Sequence, residues 1–117
     1  MHRYKELEVW KKALNLSLGV YQMTKRFPTD EKYGLVSQMR RSSVSIASII
    51  AEGAGRNTNG EFKQFLGMAQ GSAYELETQL IISRNMDFVS EGDLAKTESE
   101  ISSISNMIFK LKQSLKS

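Results

Sequence analysis

The sequence predicts an all-α protein, an antiparallel up-down-up-down four-helix bundle. Three observations carry that prediction. Apolar residues recur at three- and four-residue spacing along four separate segments, and no stretch alternates apolar and polar residues as a half-buried strand does. A single proline, Pro28, interrupts 117 residues. That length suits one domain around one core, so residues 1–117 are expected to fold together. Helices are expected over about residues 5–26, 30–53, 59–86 and 91–115. The connections between them are short, which favours antiparallel neighbours.

The first segment carries two apolar stripes. One runs Leu7, Trp10, Leu14, Ser17, Tyr21 and the other Val9, Ala13, Leu16, Val20, Met23, Phe27. Together they are wider than one neighbouring helix can cover. Pro28 ends the segment by pushing the preceding residue out of the α region. In the second segment Thr29 or Asp30 is the expected cap, and Asp30 and Glu31 suit the positive end of the helix dipole. Its stripes are Leu35, Met39, Ser42, Ile46, Ile49 and Val36, Ser43, Ala47, Ile50, with small residues that permit close approach. Gly53 is the expected left-handed stop.

Thr58 followed by Glu61 forms a capping box for the third segment. Phe62, Leu66, Ala69, Ala73, Leu76 and Leu80 then define its buried line, which breaks at Asn85. Ser90 and Asp93 offer a weaker cap for the fourth. There Leu94, Thr97, Ile101, Ile104, Ile108, Leu111 and Leu115 make a heptad seam. The acids of this helix come early and its lysines late, as the dipole favours.

Composition narrows the chemistry. There is no cysteine, hence no disulfide, thiolate nucleophile or Cys-ligated metal, which fits a reducing cytoplasm. The first residues are charged and lack the apolar core of a signal peptide. No run is long enough to span a bilayer, so no membrane partner is expected. The lone histidine, His2, sits at a terminus expected to fray, a poor place for a general base. Di-iron bundle motifs need histidines that the chain does not have. No enzymatic activity and no cofactor are therefore expected.

The loop "GAGRNTNGEF" spaces Gly55 and Gly60 like a phosphate loop, yet Glu61 and Phe62 stand where Lys and Ser/Thr are required. A helix also precedes the loop where a strand should. It reads as a helix stop followed by a capping box.

The net charge is +3 and it is unevenly spread. Residues 1–28 hold six Lys or Arg against two Glu. Lys11-Lys12 and Lys25-Arg26 repeat fourteen residues apart, about 21 Å along a helix. Arg3 and Lys5 extend the patch, a candidate surface for nucleic-acid phosphates. Against it, Glu8 is placed to pair with Lys12. Arg40 lies on the Val36–Ser43–Ala47 stripe near the core edge, where an arginine needs a partner. The expected partner of Arg40 or Arg41 is Glu75 on the third helix, supported by Gln79 and Glu52. A solvated charged face is the alternative.

"LEVWKKA", "KRFPTDEKYGLVSQMRRSSVSI", "IAEGAGR" and "GSAYELETQL" occur in order. Together they resemble the four-helix-bundle proteins encoded inside intervening sequences of bacterial large-subunit rRNA genes. The likeness covers about Tyr4 to Ile82. Ile49 stands where the family pattern carries asparagine, which implies apolar packing there in place of a polar site. The resemblance implies a homopentameric ring and no established enzymatic activity. It extends to accessory proteins of diversity-generating retroelements, basic barrels that bind a reverse transcriptase and nucleic acid. Two readings remain open at this point. One is a self-assembling scaffold associated with RNA or DNA; the other is an adaptor whose apolar stripes engage a different protein.

Overall fold

The computed structural model describes residues 2–116. Four α-helices follow one another: α1 Glu8–Thr24, α2 Leu35–Ala54, α3 Asn59–Asn85 and α4 Glu91–Ser114, with single 3-10 turns at Tyr4–Glu6 and Thr29–Glu31. Helix α1 packs on α2 and α4, and α3 packs on the same two, so the four close around one core. Arg26, just past the end of α1, reaches Asp93 in the first turn of α4. Asn59, at the start of α3, donates to the carbonyl of Lys116 beyond the end of α4 at 2.7 Å. Neighbours therefore run antiparallel, and the fold is the predicted all-α, up-down-up-down four-helix bundle.

The core is made by the expected stripes. Val9, Ala13, Leu16, Val20, Met23 and Phe27 of the first segment are all buried. So is the whole Phe62–Leu80 line of α3, together with Ile101, Ile104 and Ile108 of α4. Each such Leu, Ile or Phe contributes ~1.5–3 kcal/mol on leaving water. Helix α2 divides its two stripes between two neighbours. The Met39 sulfur accepts from the Ser83 hydroxyl on α3 at 3.4 Å, while the Ser43 hydroxyl donates to that of Ser17 on α1 at the same distance. Ile49 packs partly buried against the core, in line with an apolar role.

The caps at Thr58 and Ser90 form as expected: their hydroxyl oxygens accept from the backbone N–H of Glu61 and Asp93, each at 3.1 Å. Helix α3 ends in a Schellman motif with Asp87 left-handed at φ 63°. Asp87 and Phe88 donate their N–H groups to the carbonyls of Arg84 and Ser83.

Three local expectations are corrected. Helix α2 begins at Leu35, about five residues later than the sequence indicates, because Thr29–Glu31 tighten into a 3-10 turn and Gly34 bends the backbone. Its first amide is satisfied by Glu31, whose carboxylate accepts from Leu35 N–H at 3.1 Å; neither Thr29 nor Asp30 caps it. A Cβ on Gly34 would sit 2.8 Å from that carboxylate oxygen, so a side chain there would make Glu31 shift. The amino terminus is also docked, at least from His2 onward. His2 N–H donates to Ala54 C=O at 2.8 Å, and its ring lies 5.0 Å from that of Phe62.

The third correction concerns Gly53. It is not a left-handed stop: among the described residues no glycine has positive φ, and α2 continues to Ala54. Gly53 is buried where α2 meets α3, and a Cβ there would fall 2.5 Å from Phe65 Cβ and 3.0 Å from Phe62 Cδ1. Its role is close approach. In a helix interior alanine normally outperforms glycine by ~0.5–1 kcal/mol, but overpacking costs ~1–3 kcal/mol, and a clash between two Cβ atoms, each fixed to its own backbone, leaves little room to adjust. Gly53→Ala is therefore expected to lower stability by ~1–3 kcal/mol in urea unfolding. Gly55→Ala, with its nearest neighbour at 3.6 Å, is expected to change stability by less than ~1 kcal/mol. Equal midpoints for the two variants would show that α2 and α3 separate freely at this point.

Candidate nucleic-acid interface

The six cations proposed for nucleic acid lie along the first 26 residues, but the protein's own acids occupy three of them. Arg3 pairs with Glu6 at 3.6 Å and Lys11 with Glu8 at 3.3 Å, both between exposed side chains three residues apart. Glu8 thus takes Lys11, not Lys12, because Lys12 turns toward α4, where it shares a small groove with Asn15, Glu100 and Ile104. Arg26 holds Asp93 at 2.8 Å. Beside that pair a groove of about 290 Å³ opens between α1 and α4, with Lys96 and Glu100 on its wall. Lys5 lies 6.0 Å from the Tyr4 ring centroid, and Lys25 is exposed at the C-terminal end of α1. Exposed pairs of this kind are worth ~0–1 kcal/mol, so a polyanion can displace them. The cations do not form one uninterrupted strip.

The expected arginine–glutamate pair is not made. Among the described residues no ion pair joins Arg40 or Arg41 to Glu75 or Glu52. Arg40 does lie on the Val36–Ser43–Ala47 stripe, but that stripe faces α1, whereas Glu75 points to solvent on the outer side of α3. Arg40 Nε donates to Thr24 Oγ1 at 3.0 Å and one terminal nitrogen donates to Tyr21 C=O at 3.4 Å. Its guanidinium carbon stacks 4.5 Å from the Tyr21 ring centroid. The cation thereby satisfies a last-turn carbonyl of α1, where the helix dipole is negative. Arg41 and Glu52 are exposed. Gln79 supports no ion pair, and its Oε1 is buried without a partner. Arg84 forms pairs that the sequence reading did not anticipate, bridging Asp87 and Glu91 at 3.3 Å each across the α3–α4 turn.

Two apolar faces remain uncovered. On the α1–α2 side Leu14, Leu18, Tyr21 and Val44 are exposed. On α3 the exposed set is Met68, Tyr74, Ile81, Ile82 and Met86. Between α1 and α2 a shallow groove changes character along its length. Toward the amino end of α1 it is apolar, with Trp10, Leu14, Val44 and Ala47; toward the start of α2 it holds Tyr21, Lys32, Tyr33, Arg40 and Arg41. Lys32 and Tyr33 escape helical periodicity because they sit in a turn. The signal available was a basic–aromatic pair close in sequence to Arg40-Arg41.

An all-α four-helix bundle closed around one core is the class of protein to which the chain belongs. The 23S rRNA-intervening sequence protein family matches residues 5–110, and the chain belongs to that family. It is similar to a solved protein of unknown function from the S23 ribosomal protein family of Bacteroides thetaiotaomicron. The TM-score is 0.84 and the identity 19%, with 91% of this chain and 96% of that chain covered. At that identity the likeness speaks for the fold. No curated protein matches the sequence. Among the described residues no helix is long and apolar enough to cross a membrane.

Thr24 is buried and its hydroxyl both donates to Val20 C=O at 2.8 Å and accepts from Arg40. Thr24→Val keeps the shape and removes that acceptor, so it is expected to cost ~1–3 kcal/mol in chemical unfolding. Glu75→Gln, on an exposed face, is expected to shift stability by under ~0.5 kcal/mol. The opposite ranking would restore Glu75 as the partner of the arginine.

Proposed function

We propose that this protein is a non-enzymatic, cytoplasmic scaffold that assembles with copies of itself and associates with nucleic acid. The observation that carries self-assembly is the pair of uncovered apolar faces, one on α1–α2 and one on α3. Uncovered apolar strips of that length on a small monomer are interaction surfaces more often than accidents. Because the two faces lie on different helices, contact between unlike faces is heterologous and closes into a ring when the rotation allows. The family resemblance favours five copies.

Association with nucleic acid rests on less. It is supported by the family's tie to 23S rRNA intervening sequences and by the basic amino-terminal third. Lys11, Lys12, Lys25 and Arg26 are the cations expected to contribute, with Arg3 and Lys5 at the edge.

Light scattering during size exclusion tests the assembly. The wild-type mass is expected at several times 13.2 kDa, and Leu18→Glu or Ile82→Glu is expected to yield monomers that keep their helical circular dichroism. A monomeric wild type at tens of micromolar would defeat the assembly reading. Fluorescence anisotropy across a salt series tests the second part, comparing wild type with a variant in which Lys11, Lys12, Lys25 and Arg26 are all glutamine. Affinity for RNA is expected to fall with salt and to drop about tenfold or more in the variant. No binding at low salt would leave the protein-adaptor reading ahead.

A further inference from the structure

The mouth of the α1–α2 groove near the start of α2 is chemically unlike the rest of the surface. It encloses about 430 Å³ and is walled by Tyr21, Lys32, Tyr33, Arg40, Arg41 and Val44, with no carboxylate among the wall residues. Lys32 and Arg41 have no ion-pair partner among the described residues, and here two such cations share one wall with two tyrosines. The nearest acid in sequence, Glu31, is committed to the amide of Leu35.

Each wall residue has a definite state. Tyr33 is 86% exposed, which is extreme for an aromatic side chain and means that its ring does little for the core. Lys32 Nζ lies 5.4 Å from its centroid, so ring and cation are already side by side. Arg40 is held by Thr24, the Tyr21 carbonyl and the Tyr21 ring, and its remaining N–H donors have no acceptor among the described residues. A guanidinium fixed in this way loses little side-chain freedom when it takes a further anion. Arg41, next to it, is exposed and has no ion-pair partner among the described residues.

We infer that this groove is a binding site for single-stranded nucleic acid, with Tyr33 stacking on an unpaired base and Lys32, Arg40 and Arg41 holding the adjacent phosphates. An accessible ring beside cations that lack carboxylates is what sequence-tolerant single-strand sites require. A duplex keeps its base faces stacked inside and offers Tyr33 nothing. The inference rests on the nucleic-acid reading above but moves the main contact from the α1 lysines to the start of α2. Val44, shared with the apolar half of the groove, places the site at the edge of a face proposed to meet another copy. A strand bound here would run along the rim of an assembly.

The test is anisotropy of labelled twelve-nucleotide oligouridylate RNA, oligothymidylate DNA and a duplex of equal length, each in a salt series with light scattering in parallel. The proteins are wild type, Tyr33→Ala, Tyr33→Trp, Arg41→Gln and the fourfold α1 glutamine variant. Tyr33, Arg41 and the four α1 cations are all exposed, and the pairs the fourfold variant removes are exposed ones, so folding is expected to be intact. Wild type is expected to favour single strands over duplex. Tyr33→Ala is expected to weaken binding about tenfold or more with an unchanged salt slope, and Tyr33→Trp to retain it. Arg41→Gln is expected to weaken binding and flatten the slope by about 0.7. Binding that survives at both groove positions but is lost in the α1 variant would overturn this site and leave the nucleic-acid reading standing. No binding of any nucleic acid by the wild type would remove both. Groove variants that change only the mass of the assembly would make the groove a contact between copies and overturn the inference.

Discussion

The bundle depends on how closely α2 and α3 approach at Gly53. With no Cβ in the way, the α2 backbone lies directly on Phe62 and the base of Phe65, and the four-residue connection from Gly55 to Thr58 then has little slack. Phe62 is fully buried under this contact, and the amino terminus closes over the same end through His2. Once α2 and α3 are set at that spacing, the second stripe of α2 faces α1, and α4 completes the ring on the far side. Small residues at Ser17, Ser43 and Ala47 let α1 pack against the other side of α2.

That arrangement also decides where charge is spent. Helix α1 ends beside the second turn of α2, so its last-turn Tyr21 carbonyl meets Arg40, a cation at the favourable end of a helix dipole. Antiparallel packing places the first-turn acid of α4 next to the cation just past the end of α1, and Arg26 meets Asp93. Arg84 does the same across the α3–α4 turn. In each case a helix end supplies the partner. At the start of α2, Arg41 and Lys32 face a groove instead of a helix terminus, and no carboxylate lines it.

The functional reading follows from this division. The interior is filled by aliphatic residues, Phe27, Phe62, methionines and small hydroxyls, and the proposed reading draws on the surface. Apolar strips on α1–α2 and on α3 invite contacts between bundles, and a cationic, aromatic end to one strip invites a flexible polyanion. Both could operate at once, since they occupy neighbouring parts of one groove.

Helix number, the buried line of each helix and the caps at Thr58 and Ser90 were legible in the sequence, because periodicity and capping act between residues a few positions apart. Local chemistry also marked Gly53 and Arg40 as special, but it misread both. A glycine near a helix end looks the same whether it turns the chain or admits a neighbour. Only the approach of Phe65, twelve residues away, decided that it admits a neighbour. A stripe position tells which side of α2 Arg40 occupies, yet not which helix stands there. The tertiary structure put α1 on that side, and with it Thr24 and the Tyr21 carbonyl in place of Glu75. Tyr33 was invisible for the complementary reason: turn residues carry no period, and its meeting with Tyr21, Arg40 and Arg41 exists only once α1 and α2 have packed.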